Sequence, residues 1–120
     1  MDKIIETTIN AILEKKGQDV VLLDFREMQR HFVDFFVIAT CENFDHMEAV
    51  SQNIQEKLDE MSILPHHIER KRGGKWYLMD FGYFIVHLFT KEGREFYALE
   101  TLWGGAKRRV FKDGEDTSKS

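Results

Sequence analysis

Two apolar runs in the second half of the chain set the pattern from which the rest is read. Trp76-Tyr77-Leu78-Met79-Asp80-Phe81 and Phe84-Ile85-Val86-His87-Leu88-Phe89 are separated by Gly82-Tyr83. Two aromatic-rich runs joined by two residues, the first a glycine, predict a tight β-hairpin. Phe81 then pairs with Phe84, Met79 with Val86 and Tyr77 with Leu88. Strand side chains alternate, so these six share one face, and its composition is that of a core. The other face carries Trp76, Leu78, Asp80, Ile85, His87 and Phe89. Apolar groups mixed with a carboxylate and an imidazole suit a recognition surface, or a second core layer under a helix.

Helical spacing flanks this centre. Ile5, Ile9, Ile12 and Leu13 form one stripe of residues 2–16, which predicts an amphipathic helix stopped by Gly17. Met47, Val50, Ile54, Leu58 and Met61 form a second stripe. It predicts a helix that starts after Asn43, a good N-cap, and runs to about Met61. Arg94 to Trp103 predicts a third, with Phe96, Leu99, Leu102 and Trp103 turned inward. Strands are expected at Val20 to Phe25 and Phe35 to Thr40, with a weak edge strand at His67 to Lys71 after the only proline, Pro65. From Gly104 onward only Val110 and Phe111 have much to bury. Residues 1–103 are therefore expected to form the domain, and 104–120 a flexible tail.

Composition adds limits to that pattern. A chain of 120 residues, 42% hydrophobic and 12% aromatic, is one domain able to bury its own core. The single Cys41 excludes a disulfide framework and a cysteine-built zinc site. No apolar run approaches the roughly 20 residues that span a bilayer, and the charged start is unlike a signal peptide, so a cytoplasmic protein is expected. Charge is uneven: the whole chain is −4, yet Lys107, Arg108, Arg109 and Lys112 cluster near its end. An acidic body suits a basic protein partner better than a sequence-specific nucleic acid. The basic segment reads as a solubilising tail, with contact to nucleic-acid phosphates as the sharper alternative.

Candidate chemistry is sparse. Asp24 and Asp34 sit at strand ends, where catalytic carboxylates often stand, but neither has a companion at chelating spacing. His66-His67 are adjacent and cannot converge on one metal from one helix face. His46, three residues past the Asn43 cap, is expected to hydrogen-bond near that cap. Asp80-Phe81-Gly82 spells the kinase metal-binding tripeptide without any other kinase motif, and reads as a hairpin turn. Cys41 has no activating base or cation beside it in sequence. No cofactor and no metal site is expected, and the chain reads as a binding module rather than an enzyme.

Four stretches taken together resemble the ribosomal silencing factor family, which includes the plant Iojap proteins. They are Asp19 to Asp24; Asp34 to Thr40; Trp76 to Asp80 with Gly82 and Val86-His87; and Arg94-Glu95 through Tyr97, Leu99-Glu100 and Leu102-Trp103. His46 and Glu69 match further family positions. Cys41, Asp45, Arg70 and Tyr83 depart from it, replacing the family's usual Gly, Arg, Gly and Asp. The resemblance implies an α+β domain with a mixed five-stranded sheet, about three helices and a nucleotidyltransferase-like topology. It implies a non-enzymatic repressor that binds the large ribosomal subunit through the ribosomal protein numbered fourteen (uL14) and blocks joining of the small subunit. The alternative is a small nucleotidyltransferase-like enzyme using Asp24 and Asp34. The partner is expected on the hairpin face of Trp76, Leu78, Asp80 and His87, with Tyr83 at the tip; a homodimer is a further possibility for the free chain.

Overall fold

The computed structural model describes residues 1–71, 73–112 and 115–116. Helix α1 (Lys3–Glu14) leads into strand β1 (Gln18–Asp24), then β2 (Phe35–Thr40) and helix α2 (Phe44–Asp59). After these come β3 (His67–Arg70), β4 (Trp76–Asp80) and β5 (Phe84–Phe89), helix α3 (Lys91–Tyr97) and the single turn α4 (Leu99–Leu102). Strand β6 (Lys107–Lys112) and the two-residue β7 (Glu115–Asp116) are the last described elements. One mixed sheet runs β3-β4-β5-β2-β1-β6-β7, with β2 parallel to β5 and the other neighbours antiparallel.

The hairpin register is the expected one. Tyr77 lies opposite Leu88 and Met79 opposite Val86, and the Phe81 N–H donates to the Phe84 carbonyl at 3.0 Å. Gly82 takes φ +97°, and its N–H is held by Asp80 Oδ1 at 2.8 Å. A Cβ at Gly82 would stand 2.8 Å from the His66 ring, so close approach and backbone conformation both favour glycine here.

The first two of the three predicted helices cover that core face. Asp2 caps α1, its Oδ1 accepting from Ile4 N–H at 2.8 Å, and Asn43 caps α2 through His46 N–H at 2.8 Å. Ile5, Ile9 and Ile12 meet Met47, Val50, Ile54 and Leu58 over Tyr77, Met79, Phe84, Val86 and Leu88 in one buried cluster. Buried Asn53 ties the two helices by donating to the Ala11 carbonyl at 2.9 Å. His46 does bond near the cap as expected. Its Nδ1 accepts from Glu42 N–H at 2.9 Å, so Nε2 bears the proton and donates to the Lys15 carbonyl at 2.7 Å, joining the start of α2 to the end of α1. The chain leaves α1 through Gly17, where an added Cβ would lie 2.2 Å from the Ile12 side chain.

Two expectations are corrected. Among the described residues the sheet has six strands of four residues or more, not five, because residues 107–111 pair with residues 20–24 of β1 and place Phe111 opposite Val20 in the core. Phe111 is 6% exposed, so apolar burial together with the β1 backbone's need for partners draws this segment into the sheet. Residues 113–114 and 117–120 of the expected tail lie outside the described residues.

The third helix is also re-phased. It begins at Lys91, where Thr90 Oγ1 accepts from Gly93 N–H at 3.1 Å, and it breaks at Ala98, which takes φ +45°. The break re-aims the next turn. Leu99 and Trp103 pack inward as expected, whereas Phe96 at 78% and Leu102 at 68% face outward.

Replacing Phe111 by Ala should cost about 3 kcal/mol in urea unfolding, the usual cost of emptying a buried aromatic site. A midpoint equal to the parent's would return residues 107–112 to the status of a tail.

Candidate functional site

Cross-strand pairing lays the second face of the sheet out in rows. Leu78 stands opposite His87, which stands opposite Ile38, which stands opposite Val21. Asp80, Ile85, Phe36 and Leu23 form the next row, and Trp76 with Phe89 the row on the other side. Leu99, Trp103, Met28 and Val33 pack onto the middle of this face, where Val21, Leu23, Phe25, Ile38 and Phe89 make a second, smaller core. Cover thins toward β4. Trp76, Leu78 and Asp80 are only half-buried, and so is Ile85. The face is thus a core layer at its centre and a surface along β4, joining the two sequence readings.

Trp76 belongs to both parts. Its ring stacks on Phe89 with centroids 5.2 Å apart, meets Tyr97 of α3 at 4.4 Å, and carries the Lys71 ammonium 5.2 Å from its centre. Its indole N–H donates to His87 Nδ1 at 3.1 Å. Asp80 keeps its place through the Gly82 cap. Two expected contact residues need correction. His87 is 3% exposed and lies beneath the surface, so it cannot itself touch a partner. Strand β5 runs between β4 and β2, and the rings of Trp76, Phe36 and Phe89 enclose the imidazole. Tyr83 turns to the opposite side of the sheet, where it packs beside the main core and donates its hydroxyl to Asp2 Oδ2 at 2.9 Å. Burial first, then the Asp2 carboxylate, pushes the Tyr83 hydroxyl pKa upward.

Three features had no clear signal in the sequence. A groove of about 150 Å³ is lined by Phe25, His31, Phe32, Val33, Phe36, Ile85 and Trp103, and Phe32 at its rim is 97% exposed. Phe32-Val33 in an otherwise polar loop was the only hint. Arg94 clamps α3 to the end of the sheet, donating to the Asp19 carbonyl at 2.6 Å, to Thr40 Oγ1 at 2.9 Å and to Glu100 Oε1 at 2.8 Å. The Arg94 hydrogen bond, with the Arg94 and Arg108 charges behind it, holds Glu100 below its ordinary pKa against the opposing effect of burial. On β3, Arg70 donates to Glu48 at 2.8 Å and lies 5.1 Å from the Tyr77 ring, fixing the edge strand to α2.

The carboxylates weighed for catalysis are otherwise engaged. Asp24 accepts from the Arg26 backbone N–H at 3.0 Å, from its Nε at 3.0 Å and from its Nη2 at 2.8 Å. The Arg26 hydrogen bonds lower the Asp24 pKa. Asp34 lies 3.2 Å from His31 Nε2, and its backbone carbonyl bonds Phe25. Among the described residues no group of three His, Cys, Asp or Glu side chains is placed to hold a metal ion. Cys41 is buried, and desolvation pushes its thiol up to about 12, far from a reactive thiolate. Among the described residues no helix is long and apolar enough to cross a membrane.

The family model described as "Ribosomal silencing factor during starvation" matches residues 1–120. A ribosomal silencing factor of Halalkalibacterium halodurans is 30% identical over 104 residues, covering 87% of this chain and 88% of its own. The crystal structure of protein CV0518 from Chromobacterium violaceum superposes with a TM-score of 0.79 at 29% identity, over 89% of this chain and 88% of that one. A mouse protein named "Mitochondrial assembly of ribosomal large subunit protein 1" is 26% identical over 102 residues, covering 82% of this chain and 44% of its own.

His87 supplies a pH signature. Burial lowers its pKa from the ordinary 6.5 to about 3, so between those values the unfolded chain binds a proton that the folded chain refuses. The stability tied to neutral His87 is therefore complete above about pH 6.5 and is lost as pH falls toward 3. Acidification from pH 6.5 to 5 should cost the parent up to about 1.4 kcal/mol per unit more than a His87→Phe variant, measured by denaturant melts. Parallel slopes for the two proteins would contradict the buried, neutral imidazole.

Proposed function

Because the chain belongs to the ribosomal silencing factor family, we propose that it represses translation by seating on the large ribosomal subunit and sterically blocking the small one. The coarser statement, a regulator of translation that works with the ribosome, follows from the family. The finer one names ribosomal protein fourteen of the large subunit as the partner and the cytoplasm as the place of action. The name of the mouse relative, with its large ribosomal subunit, supports the choice of subunit.

The observation that carries this reading is the half-buried patch formed along β4 by Trp76, Leu78 and Asp80. An aromatic and an aliphatic side chain held on a rigid sheet beside a carboxylate offer an anchor with a charge at its rim. The acidic body complements a basic ribosomal protein, which favours fast and selective encounter more than tight binding. A second copy of this chain on the same face is the competing occupant, and would make the free protein a homodimer that must open before it binds.

The test is sedimentation with purified subunits. Co-migration with large subunits and exclusion from joined ribosomes is the expected result; equal binding to joined ribosomes would refute the steric mechanism. Concentration-dependent sedimentation of the chain alone reports the homodimer. At residue level, Trp76→Ala should weaken large-subunit binding by about 2 kcal/mol or more if it acts as an anchor. Asp80→Asn keeps an oxygen to cap Gly82 while removing the charge. It should leave the melting temperature unchanged, slow association and flatten its salt dependence. An Asp80→Asn protein with parental association kinetics would remove the charge from the interface.

A further inference from the structure

An indole N–H can only donate, so the 3.1 Å contact between Trp76 Nε1 and His87 Nδ1 assigns the histidine tautomer. Nδ1 is the bare acceptor and Nε2 carries the proton. That Nε2 is buried with no hydrogen-bond partner among the described residues. The imidazole is held by rings: Phe36 meets it edge-to-face at 4.4 Å and Phe89 lies nearly parallel at 6.2 Å. A position walled by aromatics and needed only for packing is better filled by an apolar ring, because the imidazole leaves a donor unpaired there. What an apolar ring lacks is an acceptor aimed at Trp76.

The geometry points to His87 as a positioning residue, which from beneath the sheet surface holds the Trp76 indole in one orientation and so preforms the Trp76–Leu78–Asp80 face for its protein partner. This rests on the reading of that face as the docking surface. Without the acceptor, the indole N–H of a half-buried ring has to find water, and only the ring contacts to Phe89, Tyr97 and Lys71 oppose its turning. A preformed anchor binds more tightly because the ordering of the side chain is not charged to the encounter. Desolvation keeps His87 neutral, its pKa lowered to about 3, so the acceptor stays available across the neutral range.

Two substitutions separate positioning from packing. His87→Phe keeps a ring and removes the acceptor, whereas His87→Asn loses the ring and places an oxygen close to where Nδ1 stood. The chain has two tryptophans, so Trp103 provides an internal reference for the indole N–H signals in nitrogen-15 spectra. His87→Phe should shift the Trp76 indole signal, speed its hydrogen exchange and weaken large-subunit binding about threefold to tenfold, the range expected from ordering one side chain. Its melting temperature should stay level or rise. His87→Asn should recover part of the binding and the Trp76 signal despite its smaller size.

Parental binding by a folded His87→Phe protein, or equal losses in the Phe and Asn variants, overturns the proposal. Should neither variant fold, the parent protein still decides: a protonated Nδ1 in its imidazole nitrogen spectrum overturns the proposal, and a bare one upholds the assignment. Trp76→Ala separates the two levels of inference. If that variant binds like the parent, the docking surface itself is misplaced. If it binds weakly while His87→Phe binds normally, only the positioning role fails.

Discussion

The register of the β4–β5 hairpin is the constraint on which the rest of the structure depends. A strand changes face at every residue, so one register sends Tyr77, Met79, Phe84, Val86 and Leu88 under α1 and α2. The same register sends Trp76, Leu78, Asp80 and His87 to the other side. A slip by one residue would expose the first set and bury Asp80. The turn opposes that slip: Gly82 holds a conformation that side chains disfavour, its N–H is capped by Asp80, and Phe81 and Phe84 stack with centroids 4.9 Å apart. The parallel pairing of β5 with β2 carries the register into the middle of the sheet, and from there β1 and β6 inherit it.

The two faces are closed by different means, and the difference shapes the site. Two long amphipathic helices cover the centre of the core face, leaving Ile68 and Tyr83 partly exposed at its margin. The second face receives a seven-residue helix, a single turn and a loop, which cover β1, β2 and much of β5, reach β4 only at Trp76 through Tyr97, and leave Leu78 and Asp80 half-buried. Arg94 compensates for the little area that α3 buries by tying it to Asp19, Thr40 and Glu100. The surface left at β4 is therefore apolar yet backed by a packed layer. That combination gives rigid anchors rather than mobile ones.

His87 shows how a core layer can serve a surface. Its ring is packed among Phe36, Phe89 and Trp76, and its one satisfied nitrogen points to the residue that reaches the edge. The desolvation that depresses its pKa is the same burial that excludes it from direct contact with a partner. One physical cause thus sets both its protonation state and its place behind the surface.

Sequence periodicity alone determined most of the framework. The apolar steps of α1 and α2, the alternation in the hairpin, the glycine at its turn and the Asn43 cap are local, so neighbouring residues suffice to read them, and the structure keeps them. The position of His46 near the cap was legible for the same reason. What tertiary structure alone decided depends on distant partners. Residues 107–112 hold only two apolar side chains, and become a strand because β1 presents an unpaired edge and a place for Phe111. Ala98 turns left-handed where the Arg94 clamp and the packing of Leu99 and Trp103 direct the chain, and no neighbouring residue announces it. The site divides along the same line. Alternation placed Trp76, Leu78, Asp80 and His87 on one face, but how deep each lies depends on what α3 and α4 cover. Tyr83 lies on the other side of the sheet, where it packs beside the main core and its hydroxyl donates to Asp2, far away in the chain.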